Sequence, residues 1–220
     1  MANTILNRFQ TKTLSYFKSS NLSKKFYLSG GTALSEFYLH HRLSKDLDFF
    51  TQEELNLDEL KKFINNISKR NPVEKIEFQR GYGLFTYFLK MKSGEKHKID
   101  FGQYPFGPIE QLKNLDGLKV ETLFDIAVNK AQTIAVRPRL RDFIDMYLIL
   151  KKESDWTFPN LLKKSFEKFE METDALQIGQ NLLEVKKQID MPVMIKEINM
   201  NAVTKFFLNE AEKLKNKIFK

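Results

Sequence analysis

Apolar positions in this chain follow two different periods. Within residues 4–20, Ile5, Leu6, Phe9, Leu14 and Phe17 fall at helical spacing, and the same period returns at Leu57, Leu60, Phe63 and Ile64 within Leu57–Ser68. Two amphipathic helices are expected there. Around them the pattern is short and strand-like: Phe26–Leu28, then Leu47 with Phe49–Phe50, then Val73–Gln79, Gly83–Lys92 and Lys96–Phe101, with Ser93-Gly94 a turn between the last two. A short helix is expected from about Ala33 to His40. The composition changes after Pro108, and from Val120 onward the period is helical. Helices are expected near 121–135, 139–152, 159–171, 174–189 and 193–217, with Pro138, Pro159 and Pro192 near their starts, where a missing N–H is tolerated. The pattern therefore predicts an α/β first half and an all-α second half, with domains at 1–118 and 119–220 and no internal repeat.

Composition narrows the class. Of 220 residues, 42% are hydrophobic and 29% charged, which suits a globular chain with a sizeable core. There is no Cys, so disulfides, zinc-thiolate sites and Cys nucleophiles are excluded. The stretch MANTILNRFQTKTLSYF has no unbroken apolar core and is not expected to be a signal peptide, and no apolar run is long enough for a bilayer. A cytoplasmic location without a membrane partner is the expectation. The formal net charge of +8 suggests a polyanionic partner, nucleic acid above all, although a lysine-rich surface accounts for it equally well.

Chemistry concentrates in Leu28–Phe50, LSGGTALSEFYLHHRLSKDLDFF. A strand ends at Gly30-Gly31 and a helix follows at once. Such a turn lets backbone approach a ligand closely, and the helix start offers N–H groups and a positive dipole end to phosphate, with the Ser29 and Thr32 hydroxyls adding donors. Asp46 and Asp48, two apart on a strand, face one side while Leu47 and Phe49 face the core. Two carboxylates beside a phosphate loop supply the hard oxygen ligands that Mg²⁺ shares with substrate phosphates. Each piece alone describes a tight turn or a solvated strand start as well; the combination is what carries information. Downstream, Lys130 falls inside the apolar arc of the 121–135 helix, while Asp125, Asn129 and Gln132 fall opposite. A lysine there must snorkel, pair with an acid or serve a ligand. Arg139 and Arg141 precede Asp142 and Asp145, neighbours on one helix surface. The histidines have no metal-ligand spacing.

Ser29-Gly30-Gly31-Thr32-Ala33-Leu34, followed by Arg42, Ser44 and Asp46-Leu47-Asp48-Phe49, resembles the nucleotidyltransferase signature of the AbiEii/AbiGii toxin family, which includes the MenT toxins. The order Lys130, Arg139-x-Arg141-Asp142-x-x-Asp145 is similar to the family's downstream motifs, so the resemblance spans most of the chain. It implies an α+β fold: a DNA polymerase β-like nucleotidyltransferase domain with a mixed sheet, then an all-α half that completes the active-site cleft. It implies a Mg²⁺-dependent enzyme, with Mn²⁺ as a substitute, that moves NMP from an NTP to an RNA hydroxyl, the 3′ acceptor end of tRNA. It further implies the toxin of a type IV-style toxin–antitoxin or abortive-infection system, with a cognate antitoxin as partner. The resemblance makes Asp46, Asp48, Lys130 and Asp142 catalytic, with Asp145 the alternative downstream acid. It assigns nucleotide binding to Ser29, Gly30, Gly31, Thr32, Arg42, Ser44, Lys130, Arg139 and Arg141, and metal binding to Asp46, Asp48 and Asp100. Asp100 fits a third carboxylate on a later strand or a strand-end salt bridge. Two other functions stay open: transfer to a protein or small molecule, and a binding module whose transferase site is vestigial.

Overall fold

The computed structural model describes residues 4–187 and 190–218 and divides into two compact units, Met1–Thr122 and Leu123–Lys220. The first opens with α1 (Arg8–Lys18), whose start is fixed by Asn7: its side chain accepts from the Gln10 N–H at 2.8 Å, and the Gln10 side chain accepts from the Asn7 N–H at 3.1 Å. A short α2 (Leu22–Lys25) leads into β1 (Tyr27–Ser29), α3 (Gly30–Leu34), β2 (Asp46–Thr51), α4 (Leu57–Arg70), β3 (Val73–Gly81), β4 (Leu84–Met91), β5 (Lys96–Gln103), β6 (Lys113–Leu115) and β7 (Leu118–Val120). The strands form one mixed seven-stranded sheet in the order β3-β4-β5-β2-β1-β7-β6, with β2–β5 and β1–β7 parallel and the other pairs antiparallel. The expected mixed-sheet α+β class is the observed one.

Strand alternation decides the two faces of this sheet. Leu47, Phe49, Ile99 and Phe101 are fully buried on one of them. Phe17 of α1 stacks on Phe49 with ring centroids 4.2 Å apart, and Phe63 of α4 meets Phe101 edge-on at 6.0 Å. The helices thus cover that face, and Asp46, Asp48 and Asp100 stand on the other.

The expected helix at 33–40 begins earlier and changes form. It starts at Gly30, and its second half, Ser35–Leu39, is a π-helical turn that ends where His40 takes a left-handed φ of 48°. The strands β6 and β7 were not expected from the sequence pattern.

The second unit contains α5 (Leu123–Val136), α6 (Leu140–Lys152), α7 (Phe158–Phe169), α8 (Ala175–Leu183) and α9 (Met200–Ile218). Phe143 and Phe158 meet Phe207 edge-on at 4.8 and 5.9 Å, knitting α6, α7 and α9 together. Three expectations are corrected here. Helix α8 stops at Leu183 and passes into a 3₁₀ turn at Glu184–Lys187, and residues 188–189 of the expected helix lie outside the described residues. Helix α9 starts at Met200 instead of 193, where the Asn199 side chain accepts from the Ala202 N–H at 3.1 Å and caps the first turn. Finally, the polar side of α5 is not solvated. Asp125 is fully buried against Lys168 of α7 at 2.8 Å, and Gln132 accepts from Ser165 at 3.1 Å. With α6, α7 and α8 packed around it, α5 is buried on nearly every side.

Candidate active site

The first unit builds its site around Gly30. This residue has φ +71°, a left-handed conformation that a side chain would strain. A Cβ there would also stand 2.3 Å from Asp48 Oδ2, so the Asp48 carboxylate lies directly over the Gly30 backbone. Gly31 is approached in the same way from Arg42 and Ser44: an added Cβ would meet the Arg42 guanidinium at 2.6 Å and Ser44 Oγ at 3.1 Å. Arg42 is only 2% exposed and donates to the Leu43 carbonyl at 3.1 Å, so it braces the loop from beneath. Thr32 ties the loop to β2 by donating its hydroxyl to the Asp46 carbonyl. The Ser44 carbonyl accepts from Gln10 of α1 at 2.8 Å. The spacing from Ser29 to Asp48 is therefore one contiguous structure.

Register carries the acids across the sheet. Ser29 pairs with Asp48, Asp48 with Asp100, and Asp100 with Thr86. Paired residues share a face, so a hydroxyl, two carboxylates and a second hydroxyl form one row. Asp46 sits two residues along β2, opposite Lys98. Asp100 is well occupied: Oδ1 accepts from Thr86 at 2.7 Å and Oδ2 accepts from Lys98. The Lys98 ammonium lies 3.9 Å from Asp46 as well. Burial works against that ammonium, but its hydrogen bond to Asp100 and the charges of Asp100, Asp46 and Asp48 outweigh burial and raise its pKa.

This donor set bears on the expected divalent metal. Among the described residues, no three His, Asp or Glu side chains converge into a ligand group of their own. Asp100, expected as a third ligand or as a strand-end salt bridge, accepts from Thr86 and Lys98. Asp46 and Asp48 share the face beside the Gly30 turn, and a pair of carboxylates suits Mg²⁺, which completes its shell with water and substrate phosphates.

Two side chains of this site, Glu121 and Tyr38, carried no sequence signal, and a third, Lys98, was legible only as a neighbour of Asp100 on its strand face. Lys98 sits among the acids. Glu121, fully buried, accepts the Ser29 hydroxyl, and its own N–H donates to the Leu28 carbonyl at 2.9 Å. Tyr38 donates to the Glu121 carbonyl at 2.7 Å, and burial together with the Glu121 charge pushes its phenol up to about 12. A buried glutamate just after a three-residue strand follows no period that could have marked it.

In the second unit Lys130 is 9% exposed, and its ammonium lies 2.7 Å from both Asp142 Oδ1 and Asp145 Oδ2. Both candidate acids of α6 are thus held by one lysine. Asp142 Oδ2 also accepts the Arg139 backbone N–H at 3.1 Å, capping α6. The Arg139 side chain is exposed and Arg141 half-buried.

Comparison with known proteins adds three findings. A family model described as the nucleotidyl transferase AbiEii toxin of a type IV toxin–antitoxin system matches residues 12–215. The uncharacterized protein aq_aa25 of Aquifex aeolicus (strain VF5) is 30% identical over 165 residues, which cover 74% of this chain and 76% of that protein. The crystal structure of JHP933 from Helicobacter pylori superposes with a TM-score of 0.61 at 16% identity, over 96% of this chain and 90% of that one, a likeness of fold.

Proposed function

The chain belongs to the AbiEii nucleotidyltransferase toxin family, and from that premise we propose that it transfers a nucleoside monophosphate from an NTP to an RNA hydroxyl, the 3′ acceptor end of tRNA, with Mg²⁺ held by Asp46 and Asp48. That it is a nucleotidyltransferase follows from the family; the acceptor, the metal and the biological setting are our reading. The observation that carries it is the direct apposition of the Gly30 backbone and the Asp48 carboxylate, with Asp100 next in the same row. It sets a phosphate-binding turn and a metal-binding acid side by side.

In this reading the triphosphate lies along the Gly30–Thr32 backbone, with Ser29 and Thr32 as further donors. Arg42 and Glu121 hold the turn's shape from below and behind. The acceptor hydroxyl gives its proton to solvent as its oxygen bonds to the α-phosphorus, the bond from that phosphorus to the bridging oxygen breaks, and pyrophosphate leaves with the electron pair. Mg²⁺, when bound, supplies Lewis-acid polarisation of the phosphate. Lys98 neutralises part of the acidic cluster and fixes Asp100. The basic surface, with a net charge of +8, suits a polyanionic acceptor. As a toxin of this family the protein would work beside a cognate antitoxin.

Asp48→Asn preserves shape and removes charge. The purified protein and this variant would be incubated with labelled NTPs, Mg²⁺, total RNA and a protein extract. Label should enter tRNA with the wild type and be lost, with melting unchanged, in the variant. Label in protein or in small molecules instead would replace the acceptor, and full activity in folded Asp48→Asn would remove the metal assignment.

A further inference from the structure

The acidic face of the sheet does not end at Asp48. Two residues further along β2, on the same face and about 7 Å away along the strand, stands Phe50, partly exposed. Its ring turns the Cδ1–Cε1 edge to Gly102 of β5, its register partner: a Cβ at Gly102 would come within 2.6 Å of both atoms, so the absence of a side chain there makes room for the ring. Tyr27 of β1 flanks it at 6.2 Å and Tyr104 at 5.2 Å, with Phe106 at 6.1 Å beyond Tyr104. Tyr104 and Phe106 are partly exposed too. An aromatic strip therefore borders the acids.

Its position relative to the loop gives it a direction. Arg42, Ser44 and Gly31 cluster before Asp46 along the chain, and Phe50 lies past Asp48 on the opposite side. An NTP with its terminal phosphates at Gly31 and its α-phosphate at Asp48 would send its base toward Phe50. Every nucleobase has a π-face, and an aromatic platform holds it largely without regard to sequence.

We propose that Phe50, given room by Gly102 and flanked by Tyr104, is the platform on which the base of the incoming NTP stacks. This rests on the nucleotidyl-transfer reading above. The platform has no hydrogen-bonding edge of its own, so it binds all four bases and leaves any choice among them to other groups. Burial, with the charge of Glu121 added, raises the Tyr104 pKa, so its phenol stays neutral beside the base.

The test compares ligands that share the phosphates and differ in the base. Binding of α,β-methylene analogues of the four NTPs and of inorganic tripolyphosphate, each with Mg²⁺, would be measured by calorimetry on the full chain. Wild type should prefer every analogue over tripolyphosphate by at least about tenfold, as one base–aromatic stack supplies. Phe50→Ala should erase that preference and leave tripolyphosphate binding in place, while Phe50→Trp keeps it. Gly102→Ala, which displaces the ring without removing it, should act like Phe50→Ala and guards against a folding defect peculiar to one variant. Equal wild-type affinity for analogue and tripolyphosphate would overturn the platform. So would a Phe50→Ala protein that keeps its preference, or one that loses only RNA affinity, which would give the ring to the acceptor. If neither ligand binds wild type, the transfer reading falls with it.

Discussion

At the scale of single residues, one methyl group is a sharp probe. Gly30→Ala must fit a side chain at φ +71° and 2.3 Å from Asp48 Oδ2. The carboxylate has to move, and a displacement of about 1 Å near reacting atoms costs on the order of 100-fold in rate. Steady-state transfer assays should show that loss, with a smaller effect on melting of about 1–3 kcal/mol from backbone strain. Lys130 makes the opposite kind of prediction. Its ammonium neutralises Asp142 and the fully buried Asp145. Lys130→Met leaves two acids without that cation and should destabilise the fold by about 3–5 kcal/mol in urea titration. A variant of wild-type stability that has lost NTP affinity would instead make Lys130 a ligand-binding residue, as the family motif implies.

At the scale of elements, β5 shows how one strand serves two environments. Lys96, Lys98 and Asp100 share the acidic face, whereas His97, Ile99 and Phe101 enter the core. His97 is 5% exposed and stacks on Phe9 at 4.1 Å. Burial lowers its pKa, and Lys45 adds to this, while Glu95 partly opposes it. The unfolded chain therefore takes up the proton first. Stability should be full above the ordinary histidine value near 6.5 and decline as pH falls from there toward the depressed pKa. Chemical denaturation at pH 7.5 and 5.5 would measure the decline, and His97→Gln should flatten it. Alternation of this kind is why the strands around the acids, and the shared face of Asp46 and Asp48, were legible in the sequence. What periodicity could not show had too few residues or the wrong surroundings. The strands β6 and β7 have three residues each, less than two full alternations. Helix α5 is wrapped by its neighbours, so its polar residues turn inward to Lys168 and Ser165 and the helical wheel misassigns their side. Glu121 belongs to the site through the pairing of β1 with β7, a long-range relation that local spacing does not encode.

At the scale of the whole molecule, charge predicts behaviour that no single contact does. A chain of net charge +8 that binds RNA through phosphates releases counterions on binding. Affinity measured by fluorescence anisotropy should drop by more than about tenfold between 50 and 200 mM salt. A salt-insensitive complex would point to an acceptor recognised without its backbone. Topology has a temporal side as well. The serine that precedes the Gly30 turn is held by Glu121, 92 residues later, and β1 pairs in parallel with β7 at Leu28 and Val120. Contacts so distant in sequence form only after a long loop has closed. A chain leaving the ribosome from its N-terminus has the turn and both aspartates of β2 early, but their support arrives only with β7. The enzyme is thus built in an order that withholds the finished Gly30 turn and its proposed nucleotide site from the nascent chain until nearly the whole first unit has been made.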